Sequence, residues 1–267
     1  MLLKNAYHKL KHIINTFIAK NEAKTKVRRD KRVYIEQCGN KSLFSYSSKN
    51  DFLQLYDYNQ EAGTVDSHYF FQDIFVANDI FHRHINQVYD IGSRLDGFIA
   101  HLLSMDIKTT MIDIRPLSVN IDNLFFIQGN ATDLSNIDDN SLECVTSLHA
   151  IEHFGLGRYG DPIDYDAWNK ALLAMSCKVK EGGYLYVSVP VSSKDVLKFN
   201  AHRIFNPITI YKSLSQLFSL QSFSVVNNKV VTYSFEGENT PMKKLERLSM
   251  SLGDYDCGIF CFCKTNE

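Results

Sequence analysis

Val88–Gly97, Val-Tyr-Asp-Ile-Gly-Ser-Arg-Leu-Asp-Gly, decides how the rest of the chain is read. It predicts a buried strand that enters a glycine turn and leaves it as a helix over Phe98–Leu103. Glycine has no Cβ and tolerates positive φ, so a ligand can approach the backbone of such a turn. The helix that follows points unpaired N–H groups at the same place. The dinucleotide fingerprint G-x-G-x-x-G is excluded, because Arg94 and Asp96 stand where small residues are needed.

Asp90, Gly92 and Gly97, an acid followed by glycines two and seven residues on, instead resemble the first motif of class I S-adenosylmethionine (SAM) methyltransferases. The resemblance implies that Asp90, Gly92, Ser93 and Arg94 surround the cofactor, with Arg94 meeting its methionine carboxylate. A second strand, Thr109–Ile112, ends at Asp113, 21 residues beyond Gly92. A carboxylate at about that distance, on the tip of strand two, accepts both ribose hydroxyls. Strand three, Leu124–Ile127, leads to Gly129-Asn-Ala-Thr-Asp133. In SAM enzymes the equivalent loop bonds the adenine amine. The expectation here is Asp133 for that bond, with Asn130, Ala131 and Thr132 lining the ring.

Outward from this core the expected elements alternate. A strongly apolar helix, His68–Ile85, precedes the first strand, with Tyr69, Gln72 and Asp73 placed to cover the pocket. Strand four, Cys144–Leu148, is followed by a helix over Tyr165–Lys178, a Gly-Gly turn, and strand five, Tyr184–Val189, closed by Pro190. Leu220–Phe235 and Cys257–Lys264 supply strands six and seven. The expected fold is α/β, a Rossmann-like seven-stranded mixed sheet in a three-layer sandwich, its last strand antiparallel.

At 267 residues and 45% hydrophobic, the chain can bury the core of one such domain. No apolar run reaches the roughly 18 residues of a membrane span, and no signal peptide is apparent. The six cysteines lack zinc-finger spacing; Cys257, Cys261 and Cys263 string out along one face of a strand, as thiols of a reducing cytoplasm. Residues 1–32 carry ten Lys/Arg against two acids, a charge of +8, while the remainder carries 19 against 28, or −9. The expected division is a basic arm, residues 1–32, and a domain, residues 33–267. Within the arm Leu3, Tyr7, Leu10, Ile14, Phe17 and Ile18 form an apolar helical stripe. It suits docking on the domain, pairing of two subunits in a homodimer, or peripheral contact with anionic lipid at the inner face of the membrane. No nucleic-acid module is recognisable.

Three stretches carry a closer resemblance: Asp90–Ala100, Ser147–Pro162 (Ser-Leu-His-Ala-Ile-Glu-His-Phe-Gly-Leu-Gly-Arg-Tyr-Gly-Asp-Pro) and Phe199–Phe205 (Phe-Asn-Ala-His-Arg-Ile-Phe). They resemble an uncharacterised methyltransferase-like family of bacteria and nematodes over roughly residues 65–210. Its bacterial members look like parts of surface-glycan biosynthesis. Membership implies a SAM fold and supplies neither acceptor nor catalytic residue.

The residues themselves suggest the chemistry. Methyl transfer is an in-line displacement, so alignment dominates, and a hydroxyl acceptor also needs a base. His149 and His153 follow strand four and His202 follows strand five, where an acceptor approaches in this fold. His153 is the expected general base, with His149 nearer the sulfonium. Tyr69, Arg158, Tyr159, Asp161, His202 and Arg203 form the expected acceptor site, and the two arginines suit the diphosphate of a sugar nucleotide. His149, Glu152 and His153 also resemble the metal-binding Glu-x-x-Glu-His of ubiquinone-pathway O-methyltransferases, but a metal-free reading is preferred. The expected activity is O-methylation of a sugar or sugar nucleotide for a capsular or lipopolysaccharide glycan. Its rivals are N- or carboxyl-methylation of another small metabolite, and a non-catalytic protein that binds SAM or a nucleotide within an assembly.

Overall fold

The computed structural model describes residues 20–37, 46–53, 55, 65, 68–227 and 229–265. It divides into two compact units, residues 1–64 and 65–267. Residues 20–37 form one helix, within which the basic run ends at Arg32. In this unit Lys31 pairs with Asp51 at 2.5 Å and lies over the Tyr46 ring. The apolar stripe from Leu3 to Ile18 falls outside the described residues.

The second unit holds an eight-stranded sheet: β1 (Gln87–Ile91), β2 (Lys108–Asp113), β3 (Leu124–Gln128), β4 (Leu142–Leu148), β5 (Val179–Val191), β8 (Phe218–Val226), β9 (Val230–Ser234) and β10 (Asp256–Lys264). The order is β3-β2-β1-β4-β5-β10-β8-β9. The first five strands are parallel, and β10 runs antiparallel to both β5 and β8. A short hairpin of β6 (Val196–Lys198) and β7 (His202–Ile204) stands apart from the sheet.

Helices cover both faces. On one, α1 (His68–His82) and α2 (Phe98–Ser104) pack Val76, Ile80, Phe98 and Leu102 against Val88, Met111 and Ile259. On the other, α3 (Ala167–Lys178), α4 (Pro207–Leu214) and α5 (Pro241–Ser249) bring Leu172, Met175, Ile210 and Leu245 onto Leu185, Val187 and Phe260. Along β5 the residues at alternate positions join opposite layers, Val187 one and Tyr186 the other, as strand pleating dictates.

The sheet has one strand more than expected. Leu220–Phe235 contains a hairpin of its own, β8 and β9, and β10 inserts between β5 and β8. The expected Gly-Gly turn lies inside β5, where the register against β4 shifts between Leu142 and Cys144 and Gly182 takes φ +68°. Nor does Pro190 close the strand. It lies opposite Cys257 of the antiparallel neighbour, and its carbonyl accepts the Phe205 N–H. Cys257 and Cys261 are buried in one layer and Cys263 is half-buried, all three as free thiols.

The strand order reverses between β1 and β4. In open α/β sheets the crevice outside the carboxyl ends of strands at such a point receives ligands.

Candidate active site

A cavity of about 950 Å³ opens at this crevice. The turn after β1 forms its floor. Gly92 has φ +79°, and a Cβ added there would lie 2.7 Å from the Ala150 Cβ, so neither a side chain nor an L-residue's ordinary backbone fits. Beneath the turn Asp90 is fully buried and does not line the cavity. Its Oδ1 accepts the Thr146 hydroxyl at 2.6 Å and the Ser93 hydroxyl at 3.0 Å, and burial raises its carboxyl to about 6. Asp90 therefore holds the turn from below, whereas the sequence had placed it against the cofactor. Gly92, Ser93 and Arg94 do face the cavity, and the exposed Arg94 pairs with Asp96.

Asp113, at the end of β2, also faces the cavity. Its carboxylate accepts a fork from Arg115, with Nε 2.9 Å and Nη2 2.5 Å away, and the Arg115 guanidinium lies over the Tyr159 ring. Oδ1 also accepts the Arg115 backbone N–H at 2.8 Å, so the further lone pair left for a ligand is on Oδ2. Asn130, Ala131 and Thr132 line the cavity wall beyond β3. Asp133 does not: it is exposed outside the cavity, and its Oδ1 accepts the Ser135 N–H. The Asn130 Oδ1, bonded to the Thr132 N–H, turns the loop so that residues 130–132 face inward.

The opposite wall carries more ionisable side chains, with His149 and Glu152 buried at its base. His149 ends β4 at φ +50°, and the turn Ile151–His153 follows it. The His149 Nδ1 lies 3.0 Å from the Glu152 Oε1 with both side chains 1% exposed, so Nδ1–H donates to the carboxylate and Nε2 keeps its lone pair. That Nε2 and the Glu152 Oε2 have no hydrogen-bond partner. The His153 Nδ1 donates to the Ala201 carbonyl at 2.7 Å, and its Nε2 lies 3.7 Å from the Glu152 Oε1. His202, on β7, stacks edge-on with His153 at 6.3 Å and with Tyr255 at 5.3 Å. Burial, then the neighbouring His153, lowers the His202 pKa. From α1, Tyr69, Gln72 and Asp73 line the cavity, with the Tyr69 ring edge-on to His149 at 5.2 Å. Burial pushes the Asp73 carboxyl and the Tyr69 hydroxyl up, and Tyr255 up to about 12.

Two residues expected to bind an acceptor are committed elsewhere. Arg203 does not line the cavity; its guanidinium donates to the carbonyls of Phe154 at 2.7 Å and Tyr165 at 3.2 Å. Asp161 reaches the cavity edge, but its carboxylate accepts the N–H groups of Gly155, Gly157 and Tyr159. Both fold the loop that carries Arg158 and Tyr159, which do face the cavity. Sequence reading missed Tyr255, which lines the wall, and His68, whose ring packs 4.5 Å from that of His149. Neither sits in a motif, and only the fold brings them to the loop after β4.

Residues 127–251, just under half of the chain, match the family described as "Caenorhabditis protein of unknown function, DUF268". The resemblance read from the sequence thus stands. No curated protein matches the chain in sequence. Among solved structures it is similar to the 1,6-didemethyltoxoflavin-N1-methyltransferase of Burkholderia thailandensis, which was crystallised with 1,6-didemethyltoxoflavin and S-adenosylhomocysteine. The identity there is 14% and the TM-score 0.50, over 73% of this chain and 80% of that one. It is also similar to the N-methyltransferase NodS of Bradyrhizobium japonicum WM9, in complex with S-adenosylhomocysteine (10% identity, TM-score 0.49, 75% of this chain and 90% of that one). A putative methyltransferase of Bacillus halodurans C-125 matches at 14% identity and TM-score 0.49, over 73% and 100%. The first likeness, with the strand order above, shows the class I methyltransferase fold. No helix among the described residues is long and apolar enough to cross a membrane.

Proposed function

We propose that this protein is a SAM-dependent methyltransferase that transfers the methyl group to a hydroxyl of a sugar or sugar nucleotide. One observation carries the reading. A single cavity at the strand-order reversal joins a glycine turn, a strand-tip carboxylate and the Asn130–Thr132 wall to His149, His153 and His202. The fold supports SAM as the donor, and the solved relative of highest TM-score named above was crystallised with its demethylated product. In this reading Gly92 and Ser93 bring backbone to the methionine moiety, Asp113 takes the ribose hydroxyls, and residues 130–132 flank adenine.

The acceptor enters against His149, His153 and His202. His153 is the general base. Its Nδ1–H is anchored on the Ala201 carbonyl, so the Nε2 lone pair is fixed in direction and takes the hydroxyl proton as the oxygen attacks the methyl carbon. Glu152 stabilises the imidazolium that forms, 3.7 Å away. The rings of Tyr69, Tyr159 and Tyr255 suit the apolar face of a sugar, and Arg158 suits a phosphate oxygen. N-methylation needs no such base for an amine that is already neutral, and this difference favours the hydroxyl.

The test is calorimetric titration with S-adenosylhomocysteine, beside an Asp113→Ala variant, followed by incubation with SAM and a panel of uridine, guanosine and thymidine diphosphate sugars. Expected results are micromolar binding, weakened at least 100-fold in the variant, and a product heavier by one methylene. No binding by the intact protein overturns the donor. Binding with turnover only on amines overturns the hydroxyl acceptor.

A further inference from the structure

We propose that His68, His149 and Cys257 form a binding site for a transition-metal ion of the zinc class, with Glu152 as the positioning residue for His149. The three residues come from the start of α1, the end of β4 and the start of β10. Their ligand atoms all lie within 4.8 Å of one another, the only such group of three among the described residues. A zinc ion with bonds of roughly 2.0–2.1 Å to nitrogen and 2.3 Å to sulfur holds tetrahedral ligands about 3.3–3.7 Å apart. The cluster therefore closes on an ion by about an ångström of side-chain motion.

Three further features point to a cation. The His68 Nε2 and His149 Nε2 are both buried without a hydrogen-bond partner, a rare condition for imidazole nitrogens unless something else takes the lone pair. The second nitrogen of His149 donates to a buried carboxylate, the arrangement that fixes a metal-binding histidine in its tautomer and raises its basicity. And Glu152 lies buried among histidines, with one oxygen unpaired. A buried carboxylate without a cation is costly. A dication bound to one thiolate contributes a net single positive charge beside it, so the pair is neutral.

Cys257 fits the exchange. Its thiol donates weakly to the Gln72 Oε1 at 3.6 Å, and that oxygen also accepts the Ser188 hydroxyl at 2.5 Å. When the ion binds, the S–H proton leaves to solvent, a sulfur–metal bond forms, and Gln72 keeps its bond to Ser188. Two imidazoles and a thiolate select zinc-like ions over magnesium. Three protein ligands leave a fourth position for water or the acceptor, the pattern of catalytic rather than structural zinc. Binding stands independently of the methyltransferase reading; only a use of the fourth position in turnover rests on it.

The test titrates the metal-free full-length protein with Co²⁺ and then Zn²⁺, following the thiolate-to-cobalt charge-transfer band in the near ultraviolet. One equivalent of Co²⁺ should raise the band, and Zn²⁺ should displace it. Cys257→Ser should abolish the band, while Cys177→Ser, at an exposed thiol, should keep it. His68→Gln should weaken binding at least 100-fold and Glu152→Gln about 10- to 100-fold. Circular dichroism establishes that each variant is folded, and S-adenosylhomocysteine affinity reports the donor site separately. Stoichiometric Co²⁺ without a thiolate band, a band that survives in folded Cys257→Ser, or no binding by the intact protein each overturns the site.

Discussion

The two halves of the cavity are built differently. On the donor side, the turn after β1, the tip of β2 and the loop after β3 present one wall from three successive strand ends, and Arg94 and Asn130 remain exposed to water. On the acceptor side, α1, the loop after β4, β7 and the approach to β10 meet from four separate parts of the chain, and His149 and Glu152 are almost completely buried. In the proposed function the first half recognises the donor by backbone shape and one carboxylate. The second withdraws ionisable groups from water, where their interactions are stronger and their protonation can be set. A donor that is already reactive needs only placement, whereas an acceptor needs activation. The division of labour thus follows from the chemistry proposed.

The largest expected effect tests that division at His153. His153→Ala should lower turnover on an accepted sugar nucleotide by about 10²- to 10⁴-fold while S-adenosylhomocysteine affinity stays within a factor of two. Steady-state kinetics beside calorimetry decides it. A fall in cofactor affinity of the same size would mean that the two walls are not separable and that His153 organises both.

A smaller effect is expected at Arg203. Its guanidinium donates to the carbonyls of Phe154 and Tyr165, so Arg203→Ala strands partly buried acceptors and should lower stability by about 2–3 kcal/mol. Lysine cannot reproduce the fork and should not restore it. Urea denaturation of both variants is the measurement. A raised KM for the acceptor with stability unchanged would return Arg203 to substrate binding.

These contrasts explain what could be read in the sequence. The donor wall was legible because each of its residues sits at a fixed distance from a strand end: Gly92 after β1, Asp113 at the tip of β2, Asn130–Thr132 after β3. Asp133 failed because a hydrogen bond within the loop, from the Thr132 N–H to Asn130, decides which residue turns inward, and spacing is blind to that. Arg203 and Asp161 were assigned by charge, and charge does not distinguish a group that binds a ligand from one that ties backbone. His68 and Cys257 lie 81 and 108 residues from His149, and nothing local marks them as its neighbours. The extra strand was missed for a related reason: only three residues, Asn-Asn-Lys, separate the apolar runs of β8 and β9, and the stretch reads as one element.

The smallest expected effect lies beneath the donor wall, at Asp90. This carboxyl is fully buried, and burial raises it from 3.8 to about 6 against the opposing bonds from Thr146 and Ser93. Between roughly pH 4 and 6 the native state therefore holds a proton that the unfolded chain has released. A state that binds more protons loses ground as they become scarce, so the contribution of Asp90 to stability falls as pH rises through that window and is constant above it. Asp90→Asn mimics the protonated acid at every pH. The variant should match the intact protein near pH 4 and exceed it by about 1–2 kcal/mol at pH 7, the lost charge-assisted bonds offsetting part of the gain. Thermal or urea unfolding of the pair across pH 4–8 measures the difference, in which all other titrations cancel. If the variant is instead the less stable of the two, and the gap widens with pH, the Thr146 and Ser93 hydroxyls hold the carboxylate in its ionised form, and the donor wall too depends on a buried charge.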